Sequence, residues 1–312
     1  MGAFSSAMPT KNNALQESLS VRFRRLLSGA PDGVPPWMAV IAKGDEPGLF
    51  TPDDAPWVVH ADFGTLVGGV RALLVQALHP ATLAGVADHS RYEQDALGRL
   101  AGTIRWLTVT TFASHSAVAA EASRVNRLHE RVQGSYSGID ARPTPYRAAD
   151  PELLLWVHVA FTESFLTCHE LLCDAPIPGG ADTYVRQWGR SVAPLGLEQV
   201  PGSVSELNAL LENFEAQGVL RCDARTREVV RFIRRPPLPV LARPVYRLFF
   251  AAAVTSLRPS HRELLGLRAG PAWLVLPSTR AVLKLIRFAI GPESPLEEAG
   301  KNRLRRIGAW NG

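Results

Sequence analysis

The chain has 312 residues, of which 46% are hydrophobic and 20% are charged, and its formal net charge is +5. This composition is typical of a packed globular protein and excludes intrinsic disorder and collagen-like or mucin-like repeats. The basic residues are almost all arginines, spread along the chain without the basic stripe and interleaved aromatic side chains of a nucleic-acid-binding surface. Nucleic acid is therefore not an expected partner.

Residues 1–45 are expected to form a mobile N-terminal segment and a lead-in to the folded domain. A helical pattern begins at residue 62, where apolar side chains recur at steps of three and four residues until Pro80 ends the pattern. Gly68 and Gly69 lie inside this helix and lower its helical propensity. Two adjacent glycines at such a place indicate close packing against a neighbouring element.

Two long helices follow, at about 96–113 and 115–133. The second has charged side chains on its outer faces and ends before Gly134, a typical C-terminal stop. Its apolar stripe, at steps of four and three residues, consists of Val118, Ala122, Val125, His129 and Val132. The pattern therefore predicts that His129 faces the protein core.

A fourth long helix is predicted after a proline-rich loop at 142–149. Asp150 is a suitable N-cap, Pro151 a suitable first-turn residue, and His158 lies on the apolar face. Shorter helical patterns follow at 183–191, 203–217, 223–233, 239–255, 260–267 and 278–289, and residues 291–312 form a basic C-terminal tail. Strand-like alternation is nearly absent. The sequence thus predicts an all-α protein with one domain of roughly ten helices at 46–290, packed in a globin-like or bundle-like manner.

No segment reaches the ~18 uncharged apolar residues that a membrane-spanning helix needs, and no signal peptide is visible. The run at 239–257 comes closest, but Arg243 and Arg247 interrupt it, so it is interpreted as a buried or membrane-facing amphipathic segment. Cys168, Cys173 and Cys222 form no even disulfide framework and no CxxC pair, and the first two are interpreted as core residues. We expect a cytoplasmic protein, with peripheral membrane contact left open.

His129 and His158 are the candidate functional histidines, because both lie on apolar stripes of long helices. A buried imidazole needs a hydrogen bond, a charge partner or a metal to offset its lost hydration. Each could be a satisfied core histidine or a ligand. The chain has no HExxH motif, no carboxylate set for a di-iron bundle and no GxSxG nucleophile motif.

Arg99 and Thr103 are four residues apart and share one helix face. Together they could bind a carboxylate, such as a propionate, or a polar oxygen intermediate. Alternatively, Arg99 forms a salt bridge with Asp95 or Glu93. In the preceding corner, His89 is interpreted as loop packing, and Ser90 is predicted to cap the helix with Glu93 completing a capping box.

A series of motifs along about residues 47–275 resembles the MpaB-type and rubber-oxygenase (latex-clearing protein) catalytic domain. In chain order they are PGLF at 47–50, LVGGVRALLVQALHP at 66–80, GVADHS at 85–90, DALGRLAGT at 95–103, RVNRLHERVQG at 124–134 and DPELLLWVH at 150–158. The resemblance implies an all-helical fold around a pocket for one haem b. The latex-clearing members use dioxygen to cleave carbon–carbon double bonds.

By motif position, His129 matches the proximal haem histidine of this family, and Arg99 and Thr103 match its arginine and threonine near the haem. Latex-clearing members have a lysine just before that threonine, which can act as the distal ligand. Gly102 stands there in this chain. The resemblance therefore implies a more open distal side and a substrate other than polyisoprene. His158 is the second candidate, either as the other axial ligand or as a core residue.

These observations predict a haem-b-dependent oxygenase or oxidase that uses dioxygen on a small or medium hydrophobic substrate. Arg99 and Thr103 are the expected catalytic and cofactor-binding residues, His129 is the expected iron ligand, and His158 is a further cofactor-binding candidate. No cysteine stands where a thiolate ligand is expected, which disfavours thiolate-type hydroxylation. The alternatives are a haem-binding sensor or carrier without turnover and a helical scaffold that has lost its cofactor. The oligomeric state is left open.

Overall fold

The computed structural model describes residues 35–88, 96–138, 142–291 and 293–311, with the side chains of 86–88, 96–100 and 290 outside this description. The sequence-based interpretations of His89, Ser90, Glu93 and Asp95 therefore lie outside the described residues, as does the side chain of Arg99.

The described residues form fourteen α-helices and one two-stranded sheet. In the first half of the chain these are α1 (Met38–Ala42), α2 (Ala55–Ala61), α3 (Gly64–Gln76), α4 (Pro80–Asp88), α5 (Ala96–Phe112), α6 (His115–Arg131), β1 (Gln133–Ser137) and β2 (Pro143–Arg147). In the second half they are α7 (Pro151–Leu172), α8 (Gly180–Trp188), α9 (Val204–Ala216), α10 (Ala224–Arg234), α11 (Arg243–Ser256), α12 (Pro259–Leu264), α13 (Ala272–Ile290) and α14 (Pro295–Arg306). Short 3₁₀ turns lie at Gly189–Ser191, Ala193–Leu195 and Val240–Ala242.

The prediction of a single all-α domain is confirmed. Ten of the helices correspond to the ten predicted ones, and α1, α2, α4 and α14 are additional. Three of these four are short, and a helix of two turns shows too few repeats for its period to be recognised. The start of α7 also differs in detail. Asp150 is at the N-cap position, but its carboxylate accepts a hydrogen bond from the backbone N–H of Arg147 at 2.9 Å rather than from the helix.

The loop predicted at 142–149 is in part the second strand of an antiparallel hairpin. Strand β2 pairs with β1 in the register Gln133↔Arg147. Pro143 and Pro145 concealed this strand, because proline cannot donate to a sheet ladder and survives only where its nitrogen faces away from the partner strand. The hairpin packs on α4 through a small cluster of Ala81, Ala84, Tyr146 and Leu153.

The core centres on the contact between α3 and α7. A Cβ atom at Gly68 would lie 2.7 Å from Cδ1 of Phe165 and 3.3 Å from the carbonyl oxygen of Ser164. Only glycine at this position allows the two helices to approach so closely. The close packing expected from the two glycines is therefore confirmed for Gly68, whereas a Cβ atom at Gly69 would meet no described atom within 4 Å.

A buried ion pair ties α3 and α7 to α11. The Arg71 guanidinium is fully buried and donates both to Glu163 Oε1, at 2.6 Å, and to Glu163 Oε2. It also donates to Ser164 Oγ at 2.8 Å and to the carbonyl oxygen of Ser256 at 3.1 Å. Burial lowers the pKa of Arg71, but the Glu163 carboxylate outweighs this effect, so the net pKa is raised and the arginine stays charged.

The segments predicted to lie at the ends of the domain both contribute to its packing. Trp37 and Ile41, in the expected lead-in, are buried, and the indole N–H of Trp37 donates to Thr108 at 2.9 Å. Helix α14 lies within the expected basic tail, yet its Arg303 is buried and donates to the carbonyl oxygen of Phe112 at 3.0 Å. An arginine that satisfies backbone carbonyl groups inside the fold has the same sequence signature as one on a solvated surface.

Among the described residues, no single helix has both the length and the apolar character to cross a membrane, although the bent pair α2 and α3 meets those criteria jointly, with a 93° angle between the helices. The segment 239–257 is largely buried in its second half, and its exposed apolar side chains are Val240 and Leu241 at its start.

Candidate functional site

Helices α5 and α6 carry three of the four candidate residues, and the buried carboxylate of Glu121 links the two helices. Glu121 of α6 is 2% exposed and accepts a hydrogen bond from Nε of Arg105 in α5 at 2.9 Å. It also accepts from Nη2 of Arg124, one turn further along α6, at 2.6 Å. Burial alone would raise the pKa of Glu121, but the two guanidinium groups outweigh it and the net pKa is lowered. This carboxylate is therefore charged at neutral pH.

The pairing of α5 and α6 brings the predicted positions to one end of the two helices. Only two residues connect the helices, so the chain reverses direction there. Measured from the Arg105–Glu121 contact at 1.5 Å per residue, position 99 lies about 9 Å along α5 and position 129 about 12 Å along α6, in the same direction. Positions 99, 103 and 129 thus belong to the same region of this helix pair.

His129 lies half-buried in the last turn of α6. Its Nδ1 atom is buried and has no hydrogen-bond partner among the described residues. Burial, and to a lesser extent the Arg124 guanidinium, lowers the pKa of His129 below its ordinary value of 6.5. The imidazole is therefore neutral at pH 7, which is the form that binds a metal.

His158 lies in the middle of α7 and is 4% exposed. Within the described part of the chain no group satisfies its buried Nε2 atom, and burial lowers its pKa to about 4. The prediction that His158 lies on a buried helix face is confirmed. Its ring is neutral and retains one unsatisfied nitrogen, so a ligand role and a core role both remain compatible with the fold.

Thr103 is half-buried on α5, next to Gly102. A Cβ atom at Gly102 would meet no described atom within 4 Å. The described neighbours of this position therefore leave space where latex-clearing proteins have a lysine. Thr103 and His129 lie on two helices packed against each other, and His158 lies on a third helix, α7.

The structure adds a histidine that the sequence analysis did not select. His79 is buried between Trp156 and Phe214, with ring centroids 6.0 and 6.3 Å away, and its Nδ1 has no partner in the described part of the chain. Burial lowers its pKa to about 4. It follows directly after the helix-ending turn of α3, where no apolar periodicity marks a position as buried. By contrast, His60 is satisfied by Thr111 at 2.9 Å and Tyr184 at 3.0 Å, as a core histidine should be.

An open groove of about 450 Å³ runs beside the first turns of α7 and the end of α9. Its walls include Leu155, Leu197, Leu210 and Phe214. Neither His129 nor Thr103 nor His158 is among its lining residues. The groove is therefore not the place where the candidate residues converge.

Comparison with known families gives a match over residues 57–288 to the family described as the ER-bound oxygenase mpaB/B'/Rubber oxygenase, catalytic domain. The chain belongs to this family. The match covers helices α2 to α13 almost entirely, including α5, α6 and α7 with all four candidate residues. Neither a curated protein nor a solved structure matches the chain significantly. As a member of an oxygenase family, the protein is an enzyme of the oxidoreductase class that uses dioxygen and a substrate.

Proposed function

We propose that the protein is a haem-b-dependent oxygenase acting on a small or medium hydrophobic substrate, with His129 as the proximal iron ligand. The observation that supports this most directly is the state of the His129 ring. It is neutral, half-buried and retains a buried nitrogen without a partner among the described residues. A histidine that binds iron uses one ring nitrogen for the metal, and His129 has such a nitrogen. His60, by contrast, is satisfied at both ring nitrogens. Because His79 and His158 share the unpaired state of His129, the place of His129 at the motif position of the proximal histidine supports the choice among them.

The residues of α5 and α6 fit a haem in this region. Haem b, when bound, supplies the iron that binds and activates dioxygen. His129 offers a neutral imidazole, and the position of Arg99 at the same end of the helix pair suits a cation that pairs with a propionate. The Thr103 hydroxyl can donate a hydrogen bond within the site. His158 is the second candidate for ligation.

Glycine at position 102 bears on the substrate of the proposed oxygenase. A lysine at this position would place a primary amine next to Thr103. Gly102 has no side chain, and a Cβ atom there would meet no described atom within 4 Å. We infer that a substrate or dioxygen would enter beside Thr103 without having to displace a lysine side chain. This difference supports a substrate class other than polyisoprene.

An absorption spectrum of the purified protein tests the proposal. We expect a Soret band with one haem per chain, a shift on reduction and a further shift with carbon monoxide. His129→Ala should lose most of the bound haem or change its ligand-field bands. His115→Ala, at an exposed position in the first turn of the same helix, is the matched control and should keep the wild-type haem content and absorption bands.

Two results would contradict the assignment. A colourless wild-type protein that ignores added haemin removes haem from the proposal. Full haem content with an unchanged spectrum in His129→Ala moves the ligand to another residue, with His158→Ala as the next variant. A haem protein that consumes no oxygen with any hydrophobic candidate substrate is a sensor or carrier.

A further inference from the structure

Three potential metal ligands meet at the corner between α2 and α3, one from the corner itself and two from the end of α7. Asp62 follows α2, His169 lies in the last turn of α7, and Cys173 is the C-cap of α7. One ligand atom from each lies within 4.8 Å of the other two. Position 169 is eleven residues from His158, about 16 Å along α7, so this cluster is separate from the proposed haem residues.

The hydrogen bonding of His169 prepares one ring nitrogen for a metal. His169 is 3% exposed, and its Nε2 lies 2.8 Å from the carbonyl oxygen of Ala175, so Nε2 carries the proton and donates it. Nδ1 is then the unprotonated nitrogen, and it is buried with no partner among the residues described. Metal-ligating histidines typically donate their other ring N–H to a carbonyl or carboxylate in this way. A buried acceptor without a partner costs free energy, which a bound metal would recover.

The fold makes room for the sulfur of Cys173. A Cβ atom at Gly64 would lie 2.4 Å from Sγ of Cys173, so only glycine can occupy this position while the sulfur stays there. The backbone N–H of Gly64, at the start of the thirteen-residue helix α3, donates to this sulfur. An N–H group at a helix N-terminus favours a thiolate. Burial, followed by the Asp62 carboxylate, nevertheless raises the pKa of the thiol in the metal-free protein.

Asp62 is oriented by a cation on the opposite side. Its Oδ2 lies 2.8 Å from Nη2 of Arg287 in α13, and its Oδ1 lies 3.5 Å from the backbone nitrogen of Gly64. The Cys173 thiol also donates a hydrogen bond to this carboxylate. The ion pair with Arg287 holds the Asp62 carboxylate in place and occupies Oδ2. Because Oδ2 is paired with Arg287, Oδ1 is the oxygen that we assign to the metal.

We propose that Nδ1 of His169, Sγ of Cys173 and Oδ1 of Asp62 form a zinc site, with a water molecule in the fourth position. Nitrogen, sulfur and carboxylate oxygen are the ligands that Zn²⁺ takes, at ~2.0–2.3 Å in tetrahedral geometry. On binding, the Cys173 S–H bond breaks, the sulfur forms a bond to zinc and the proton leaves to solvent. Thiolate and carboxylate together neutralise the two charges of the ion. The site would fasten the α2–α3 corner to the end of α7.

Metal titration of the chelator-stripped protein tests the site. We expect one Zn²⁺ per chain in competition with a chromophoric chelator. With Co²⁺ we expect intense tetrahedral d–d bands in the visible and a thiolate charge-transfer band in the near ultraviolet. Cys173→Ser and His169→Gln should each weaken binding by more than the ~10–100-fold typical of losing an outer-shell partner. Cys222→Ser, at a half-buried cysteine outside the cluster, should bind like the wild type.

Thiol protection gives a second test that needs no variant. Equimolar Zn²⁺ should slow alkylation of Cys173 in the wild-type protein, read by peptide mass spectrometry, and leave Cys222 unaffected. Absence of one-to-one binding to the stripped wild type, or wild-type affinity in both Cys173→Ser and His169→Gln, overturns the assignment. The Soret band reports on the haem proposal independently, so failure of one site is distinguishable from failure of the other.

Discussion

At the residue scale, Glu121 shows how one buried carboxylate positions a site that it does not enter. Its carboxylate oxygens accept hydrogen bonds from Arg105 of α5 and Arg124 of α6. These bonds hold α5, which carries Thr103, against α6, which carries His129. The sequence shows Glu121 as one of several charged residues on the outer faces of α6. Its role depends on an arginine sixteen residues away, which only the helix pairing brings within reach.

We predict that Glu121→Gln destabilises the protein by about 1.5–3 kcal/mol at pH 7, the usual contribution of hydrogen bonds to a charged group. The pKa of Glu121 is lowered in the folded state, so its contribution is present above pH ~4.5 and is lost as the pH falls through the lowered value. Urea unfolding in a series from pH 7 downwards measures this, and the difference in stability between the two proteins should shrink as the pH falls below ~4.5. Glu130→Gln, exposed on the same helix, is the control. Equal stability at pH 7 contradicts the prediction.

At the element scale, Gly68 and Gly69 of α3 show that a glycine within a helix can be required for packing or can only lower the helical propensity. Both interrupt the same apolar helix, and from the sequence they are equivalent. In the structure, Gly68 faces Phe165 and Ser164 of α7, whereas Gly69 has open space toward its described neighbours. Which of two neighbouring positions faces α7 is decided by the rotation of the helix against its partner.

The matched variants Gly68→Ala and Gly69→Ala should therefore shift stability in opposite directions. Gly68→Ala forces a methyl group against Phe165 and should cost about 1–3 kcal/mol, the range for overpacking. Gly69→Ala should gain up to ~1 kcal/mol of helical propensity. Thermal unfolding of the two variants measures both effects. A stabilised Gly68→Ala would show that α3 and α7 do not approach as closely as described.

At the scale of the whole molecule, the burial of several histidines makes folding sensitive to acid. Burial lowers the pKa of His60 to about 3, of His79 to about 4 and of His158 to about 4. The unfolded chain takes up these protons near pH 6.5, while the folded chain resists them until about pH 4. Between these values the unfolded state binds more protons, so stability falls as the pH falls.

We predict a loss of about 1.4 kcal/mol per pH unit for each such histidine between pH ~6 and pH ~4.5. His79→Leu should reduce the dependence of the unfolding free energy on pH by the contribution of one histidine, about 1.4 kcal/mol per pH unit. Leucine fills the space between Trp156 and Phe214 but does not titrate. Denaturant unfolding across this pH range measures the slope. An identical slope in wild type and variant would mean that His79 is not buried in its neutral form.

The sequence alone was sufficient for the long helices and for the burial of His158, whereas His129 is half-buried. Helix α5 is predicted at 96–113 and found at Ala96–Phe112, and α7 is predicted from residue 150 and found at Pro151–Leu172. Apolar periodicity and caps are local signals, written within each segment. Short helices and the proline-containing hairpin lack such signals, and their structure depends on the surfaces they pack against.

What the sequence by itself determined is therefore the helical class, the family motifs and the residues with the right chemistry, since these depend on residue type and short-range spacing. Tertiary structure decided which of these residues meet. Cys173 was interpreted as a core residue, and only the α2–α3 corner brings Asp62 to it and to His169, one turn earlier on α7. The sequence does not distinguish Arg71 and Arg303 from solvated arginines, but the packing buries them with Glu163 and with backbone carbonyl groups. Contacts between residues far apart in the chain have no local signal, because they arise only when the helices pack.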